Sequence, residues 1–298
     1  MNITQLPKLV QKYLQNMKRM KNRQQGSVNV YAGNLNLFFE YIKDKKKWDC
    51  EIKNITIEQI KSITSNNIES FILYCEKEGN AASTRVAKII AIRMFFNYLI
   101  KKEKLITNNP MDDIDSPKLG KRLPKPLNIS QVEALLKAIG GQYKERDLAM
   151  IRICLDCGLR VSELVDIDLD HIEDDELRII GKGNKERQVY LSDKCLNAIQ
   201  AYLNVRPYVT DKALFISKQN KRISIQMAQT LVKNYLTEIG AGDKSIHALR
   251  HTFATIKLSQ GVDIRTLCEM MGHESIETTA RYMQVNNETK KKAFKMSS

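Results

Sequence analysis

The sequence predicts a mainly α-helical protein of two blocks joined by a proline-rich linker. Apolar residues recur at spacings of three and four through most of the chain, as on one face of a helix. The stretch Leu177–Leu191 instead has two β-rich runs around a Gly-Lys-Gly-Asn turn, which indicates a small antiparallel sheet. Four of the six prolines lie between Asn108 and Leu127, where neither a helix nor a central strand can continue. We therefore expect a helical domain over 1–107, a linker over 108–127, a mostly α domain with a small sheet over 128–285, and a basic tail over 286–298.

The first block is predicted to be a small bundle of about four helices. The apolar spacing places them over 4–20, 27–43, 56–78 and 83–104. In the second block, a capping-box pattern at Ser130–Glu133 predicts the start of a helix that runs through Ala138. A helix over 145–157 is expected to end at Gly158, and a short helix follows from about residue 161. After the hairpin, helices are predicted over 194–205, 224–239, 246–259, 263–271 and 275–284.

The charge of the chain favours a polyanionic partner. Its 298 residues carry a formal net charge of +14, with a pI near 9.4. Lys and Arg side chains set against phosphates release condensed counterions, so such a balance suits DNA, although a well-solvated basic surface explains the charge equally well. The N-terminus has no secretory pattern, and the most apolar segment, Ile89–Ile100, is too short to span a bilayer. We expect a cytoplasmic protein with no membrane partner.

Two patterns invite a metal interpretation, and neither completes a site. Cys154 and Cys157 form a single C-x-x-C with no second pair of cysteines or histidines, so two half-buried helix cysteines are the better interpretation. The acidic run Asp166–Leu177 fails the calcium-loop template, because His171 stands where glycine is needed. We expect no metal and no cofactor.

Several polar residues of the second block fit catalysis better than packing. His247 and Arg250 are spaced i, i+3 and project from one helical face. Arg160 and His273 each follow a predicted helix end, and Lys182 lies at the tip of the hairpin. Each has an ordinary structural explanation when taken alone. Together they suit a phosphodiester, whose reaction builds negative charge that fixed Arg and His donors stabilise.

Tyr282 raises the same choice between packing and chemistry. A lone tyrosine on a helix is usually buried by its ring, with its hydroxyl hydrogen-bonded at the rim. A phenol with a pKa of about 10 becomes a nucleophile only when its surroundings activate it. A departing 5′ oxygen also needs a proton, which a well-placed lysine supplies as general acid.

Four stretches carry a resemblance to a known family: CGLRVSELVDIDL, IIGKGNKERQVYL, HALRHTFAT and GHESIETTARYMQV. In this order they resemble the signature motifs of the tyrosine recombinase (phage integrase) family, and most closely its Xer-type site-specific recombinases. The helical N-terminal block with its linker is similar to the core-DNA-binding domain of that family. The likeness covers nearly the whole chain, and four motifs in order are far more specific than one.

The resemblance implies a role for each matching residue. Arg160 and Arg250 would clamp the phosphate, and His247 would form the H-x-x-R pair with Arg250. His273 would be the second histidine and would hydrogen-bond the phosphate or the nucleophile. Glu163 matches the supporting acidic position, which orients the histidine or arginine. The remaining two are Lys182, the hairpin lysine expected to act as general acid, and Tyr282, the nucleophile expected to form a 3′-phosphotyrosyl link.

The resemblance also implies an architecture and partners. Two domains would close as a C-shaped clamp around a double-stranded DNA recombination site. A homo-tetramer, or a hetero-tetramer with a second recombinase, would exchange strands through a Holliday junction without ATP or metal. Two rival functions use similar parts: DNA relaxation by a type IB topoisomerase-like enzyme, and non-catalytic DNA binding on the same fold. The Xer-like spacing disfavours the first, and the complete set of catalytic residue types disfavours the second.

Overall fold

The computed structural model describes residues 2–20, 25–117, 120, 123–181 and 186–283. They belong to two compact units, Met1–Lys121 and Arg122–Ser298. The predicted fold class is confirmed, since strands occupy three short stretches of the described residues and helices most of the rest. Within these ranges, no helix is long and apolar enough to cross a membrane. The predicted basic tail, 286–298, lies outside the described residues.

The first unit is a helical bundle. Its described helices are α1 (Lys8–Met20), α2 (Gln25–Lys45), α3 (Ile57–Lys61), α4 (Ser65–Lys77) and α5 (Ala82–Lys101). The single helix predicted over 56–78 is wrong, because two helices begin there. Thr56 and Thr64 each cap a helix start, and the side chains of Gln59 and Asn67 accept the backbone N–H of these threonines at 2.8 and 3.1 Å.

Aromatic rings fill the centre of this bundle. Phe38 packs edge-on against Phe39 and Phe71 with ring centroids 5.3 Å apart, and Phe39 packs edge-on against Phe95 at 5.8 Å. The quadrupoles of aromatic rings favour this edge-on packing, which adds stabilisation beyond that of apolar burial. Met111 and Ile114, from the segment expected to be a linker, are buried in the same core. The start of that segment is therefore part of the first unit.

The second unit combines helices with one small sheet. Its described elements are α6 (Ile129–Ala138), α7 (Lys144–Cys157), α8 (Val161–Val165), β1 (Ile172–Glu173), β2 (Glu176–Ile180), β3 (Glu186–Tyr190), α9 (Asp193–Val205), α10 (Ile225–Glu238), α11 (His247–Ser259), α12 (Ile264–Met271) and α13 (276–283). The capping box of α6 is formed by Asn128 and Gln131, two residues before the predicted start. The asparagine side chain accepts the backbone N–H of Gln131 at 2.7 Å, and so begins the helix earlier than Ser130 would.

The predicted hairpin is confirmed. Strands β2 and β3 pair antiparallel from Glu176 opposite Tyr190 to Ile180 opposite Glu186, and β1 adds a third strand beside β2. Leu177, Ile179 and Val189 point into the main core of the unit. The residues of the predicted turn, 182–185, lie outside the described part of the chain. The sheet pairs the strands that come before and after them, with Ile180 opposite Glu186.

Candidate active site

A buried carboxylate organises three arginines from different parts of the second unit. Glu163, on α8, is 5 % exposed. Arg160 donates to it twice, from its backbone N–H to Oε2 at 2.8 Å and from Nη1 to Oε1 at 2.7 Å. Arg187, on β3, donates both terminal nitrogens to the same carboxylate at 3.1 and 2.8 Å. Arg250, on α11, brings Nη1 to 3.8 Å from Oε2. Three positive charges around one negative charge leave an excess that suits a bound anion.

The arginines keep Glu163 ionised despite its burial. Burial alone would raise the pKa of this carboxyl group, since the charged form loses its hydration. The hydrogen bonds and charge of Arg187, with the two hydrogen bonds from Arg160, outweigh burial and hold the pKa below its ordinary value. Glu163 is therefore a fixed anion at neutral pH, and it holds the guanidinium groups in place.

Arg250 is buried against two helix ends. It donates from Nη1 to the carbonyl of Gly158, at the end of α7, and from Nη2 to the carbonyl of Met271, at the end of α12, the latter at 2.7 Å. Burial first, and then the charge of Arg160, lower its pKa to about 10, so the guanidinium stays charged at neutral pH. These carbonyls are free to accept because the last turn of a helix leaves its C=O groups without helical partners.

Gly158 fits the site because it has no side chain. It ends α7 as predicted, in the left-handed conformation with φ of +62°. A Cβ atom there would lie 2.3 Å from Cδ1 of Phe253, which is closer than such atoms can approach. The close approach of α7 and α11 at this point brings the Gly158 carbonyl to Arg250.

Replacing Gly158 by alanine is expected to destabilise the protein by about 2–5 kcal/mol, as the sum of left-handed strain and overpacking. Gly240→Ala is the matched control, since Gly240 has φ of +71° but open space where a Cβ atom would lie. It should cost only about 1 kcal/mol. Chemical unfolding followed by circular dichroism measures both. Equal losses for the two variants would contradict a role for the Phe253 contact.

The turn between α12 and α13 brings His273 to the arginines. Gly272 ends α12 with φ of +60°, and its carbonyl accepts from Nη2 of Arg160 at 2.9 Å. Arg187 also binds this end of the helix, by donating Nε to the carbonyl of Met270 at 3.1 Å. With the hydrogen bond from Arg250 to the carbonyl of Met271, the backbone leading to His273 is thus held by all three arginines.

His273 is oriented by a buried hydroxyl. Its Nδ1 lies 2.7 Å from Oγ1 of Thr279, a residue of α13 that is fully buried. Burial, followed by the charges of Arg250 and Arg160, lowers the pKa of His273 to about 4. His247 at the start of α11 also has a lowered pKa, from desolvation and then from Arg250. Both imidazoles are therefore neutral at neutral pH, and each offers one N–H donor.

Tyr282 lies on α13 and is 4 % exposed. Its ring packs in a small cluster with Phe253, Leu267 and Met271, and its hydroxyl oxygen lies 2.9 Å from Nδ1 of His251. Burial raises the pKa of this phenol, and the charges of Arg250, Arg281 and Arg160 partly oppose the rise. The expected nucleophile is therefore protonated at neutral pH in the DNA-free protein, close to the positive charges of Arg250 and Arg160.

The structure brings together six of the seven predicted site residues. They are Arg160, Glu163, His247, Arg250, His273 and Tyr282, from α8, α11, the α12–α13 turn and α13. The seventh, Lys182, lies outside the described residues.

Three further side chains of the site were missed by the sequence interpretation: Arg187, His251 and Thr279. Arg187 lies on the inward side of β3 together with Val189. Strand periodicity alone would therefore have predicted an inward-facing arginine, which needs an acidic partner. His251 follows His247 by four residues and shares its helix face. No sequence signal marks Thr279.

The two patterns that invited a metal interpretation have structural explanations. Burial raises the pKa of Cys154 to about 12, which disfavours the thiolate that a metal would need. Asp168, Asp170 and His171 of the acidic turn lie close together. There Asp168 accepts from Arg222, and Nδ1 of His171 accepts the backbone N–H of Asp168 at 3.2 Å.

Comparison with known families decides the identity of this arrangement. Residues 125–289 match the phage integrase family, and residues 10–103 match its N-terminal SAM-like domain. The chain belongs to the phage integrase family. The family predicted from the four motifs is therefore confirmed.

Named relatives narrow the family to its Xer-type members. The chain is 40 % identical to tyrosine recombinase XerC of Caldanaerobacter subterraneus subsp. tengcongensis, over 96 % of this chain and 86 % of that protein. It is 37 % identical to tyrosine recombinase XerD of Proteus mirabilis, over 76 % of each. This phage integrase family member is thus a tyrosine site-specific recombinase.

Solved structures of the family share the fold. XerH recombinase bound to palindromic difH in a post-cleavage complex aligns with a TM-score of 0.72 at 22 % identity, covering 95 % of this chain and 82 % of that one. A lambda integrase tetramer bound to a Holliday junction aligns with a TM-score of 0.67 at 14 % identity, covering 90 % and 76 %. Both are assembled on DNA.

Proposed function

We propose that this recombinase cuts and rejoins duplex DNA at a specific site through a 3′-phosphotyrosyl intermediate on Tyr282. The observation that carries the proposal is the convergence of Arg160 and Arg250 on Glu163, close enough for their charges to act on the Tyr282 phenol. A scissile phosphate bound beside these two arginines would contact two fixed cations and the nucleophile together. Such preorganised donors stabilise the charge that develops as the phosphorus is attacked.

The steps follow from the chemistry of these side chains. The Tyr282 oxygen attacks phosphorus as the phenolic proton passes to water, the phosphorus–O5′ bond breaks, and the strand leaves as a 5′ hydroxyl. His247 and His273, being neutral, donate hydrogen bonds to the phosphate oxygens. Lys182 protonates the departing O5′ in this scheme, a role that rests on the family resemblance. The phosphotyrosyl bond keeps the energy of the phosphodiester, so a 5′ hydroxyl from another duplex can reverse the step and complete the exchange.

The assembly is proposed from the relatives. Four copies, either of this chain or of this chain and a second recombinase, would exchange strands through a Holliday junction. The helical first unit would bind the core site together with the second, and the excess of 48 Lys and Arg over 34 Asp and Glu supports a phosphate backbone as partner. Resolution of chromosome or plasmid dimers and mobile-element movement both fit this reaction, which would take place in the cytoplasm.

A covalent selection tests the function and finds the target sequence in the same experiment. Purified protein is incubated with a pool of nicked duplexes whose sequence is randomised on both sides of the nick. On such a substrate the short strand released with a free 5′ hydroxyl diffuses away. Religation is then impossible, so the enzyme stays attached to the 3′ phosphate. We expect SDS-resistant protein–DNA adducts whose sequences converge on one site after repeated rounds.

Two results would contradict the proposal. The absence of any adduct would remove the covalent mechanism. Adducts that form without sequence convergence, together with relaxation of supercoiled plasmid, would instead indicate a topoisomerase-like activity.

A further inference from the structure

His251 makes a contact with the proposed nucleophile that the family motif does not account for. It follows Arg250 directly on α11, and its Nδ1 lies 2.9 Å from the hydroxyl oxygen of Tyr282. The two rings are tilted by 53° with centroids 5.5 Å apart, so they meet through this hydrogen bond and not by stacking. A polar contact of this length is a hydrogen bond, in which the tautomer of the imidazole sets the donor and the acceptor.

The surroundings of Tyr282 leave the hydroxyl direction to His251. Phe253, Leu267 and Met271 pack around the ring and fix its position by apolar contact. Apolar packing places a ring, but it does not select where the O–H bond points, because the hydroxyl hydrogen rotates to suit its partner. Among the described contacts of the phenol, the hydrogen bond to His251 supplies that selection.

We propose that His251 is a positioning residue for strand cleavage: its Nδ1 accepts a hydrogen bond from the phenolic O–H of Tyr282 and so leaves the oxygen lone pairs free to attack the phosphate held by Arg160 and Arg250. This inference rests on the proposed function. It assigns to His251 the alignment of the nucleophile, and it takes the Nε2–H tautomer of the imidazole, in which Nδ1 is the acceptor.

The electrostatics favour orientation over proton removal. Burial, followed by the charges of His247, Arg250 and Arg281, lowers the pKa of His251 to about 4. Burial raises the pKa of the Tyr282 phenol above its ordinary value. Transfer of the proton from Tyr282 to His251 would therefore be strongly unfavourable, because the proton would leave a phenol with a raised pKa for an imidazole with a lowered one. A neutral imidazole is well suited to accept a hydrogen bond, and poorly suited to hold the proton.

A second histidine also holds the helix that carries Tyr282. Nδ1 of His273 contacts Thr279, which precedes Tyr282 by three residues and lies on the same face of α13. The helix that carries the nucleophile is thus tied at one point to the α12–α13 turn and at another to α11. This arrangement places the phenol relative to Arg250 through two short hydrogen bonds, as alignment requires.

Three variants of His251 separate alignment from other roles. His251→Asn keeps a hydrogen-bonding group close to the position of Nδ1, whereas the longer side chain in His251→Gln carries it towards the position of Nε2. His251→Ala removes the group entirely. Single-turnover cleavage of a nicked duplex recovered by the covalent selection is measured for each, together with DNA affinity by mobility shift and the melting temperature.

We expect His251→Ala to slow cleavage by about 10- to 100-fold, as for a misplaced nucleophile, with DNA affinity unchanged. His251→Asn should restore most of the wild-type rate, and His251→Gln should stay slow. If the alanine variant fails to fold, the comparison of the asparagine and glutamine variants still tests whether His251 positions the Tyr282 hydroxyl.

Wild-type cleavage in the same assay keeps the two proposals apart. If the wild type forms adducts and His251→Ala matches its rate, the inference is overturned and the function stands. If His251→Asn is as slow as His251→Ala, the hydrogen bond is not sufficient, and the positioning role is overturned as well. If the wild type forms no adduct, the proposed function fails and the inference fails with it.

Discussion

Tyr282→Phe is expected to abolish covalent attachment to DNA and to leave DNA binding unchanged. The substitution removes one oxygen atom, and with it the proposed nucleophile and its hydrogen bond to His251. Removing a catalytic nucleophile typically costs four or more orders of magnitude in rate, so adducts should fall by at least about ten-thousandfold. The measurement is the SDS-resistant adduct on a nicked substrate, beside a mobility shift on the same DNA.

The variant should remain folded, because phenylalanine retains the ring packing. The contacts with Phe253, Leu267 and Met271 involve the ring carbons and persist without the hydroxyl. The loss of one hydrogen bond costs about 1 kcal/mol, which is small beside the apolar burial of the ring.

Tyr208→Phe is the matched control, since Tyr208 is fully exposed after α9 and stands outside the site. It should form adducts at the wild-type rate. Cleavage by Tyr282→Phe at an unchanged rate would mean that another residue attacks the phosphate. Loss of DNA binding in the same variant would mean that the hydroxyl serves recognition and not chemistry.

The local structure of this protein was largely predictable because short-range rules govern it. Gly158 ends α7 as its sequence position indicates, since a left-handed residue is needed after the last turn of a helix. The hairpin followed from alternation around a glycine turn. The α3–α4 break was missed because the apolar spacing continues through it, with Ile60, Ile63 and Ile68 all buried. There the threonine cap begins a new helix, whereas the apolar periodicity indicates only which residues are buried.

The site was predictable only where a motif marks it. Glu163 was expected to support an arginine or a histidine, and the structure shows that it binds Arg160 and Arg187. Arg187 was not predicted as a site residue, because its partner Glu163 lies 24 residues earlier in the chain. Similarly, Tyr282 meets His251 across 31 residues. Contacts between elements depend on how α8, β3, α11 and α13 pack, and no single stretch of sequence contains that information.

Glu163→Gln is expected to damage both stability and cleavage. The amide is nearly isosteric with the carboxylate, but it removes the negative charge that three guanidinium groups surround and presents N–H donors to N–H donors. Breaking a buried ion pair by removing one partner costs about 3–5 kcal/mol. Loss of the alignment of Arg160 and Arg250 should lower cleavage by about a hundredfold or more. Urea unfolding at neutral pH and single-turnover cleavage measure the two effects.

The stability difference between wild type and Glu163→Gln should depend on pH in one direction. The pKa of Glu163 is held below its ordinary value of 4.5 in the folded protein. A lowered carboxyl pKa contributes stability that is fully present above the unfolded-state pKa and is lost as the pH falls through the folded-state pKa. The difference should therefore be constant near neutrality and should shrink below a pH of about 4.5, where the unfolded wild type binds a proton that the folded protein does not yet bind.

Hydrogen exchange shows whether the loss of stability in Glu163→Gln is located at the site. Amides of α8 and α11 should exchange faster in Glu163→Gln, because Glu163 ties Arg160 and Arg250 of these helices together. Glu238→Gln is the matched control, since Glu238 is exposed at the end of α10, and it should alter neither exchange nor cleavage. If Glu163→Gln unfolds at the wild-type urea concentration and still cleaves at the wild-type rate, the carboxylate does not hold the arginines, and the clamp must be fixed by the carbonyls of Gly158, Met271 and Gly272 alone.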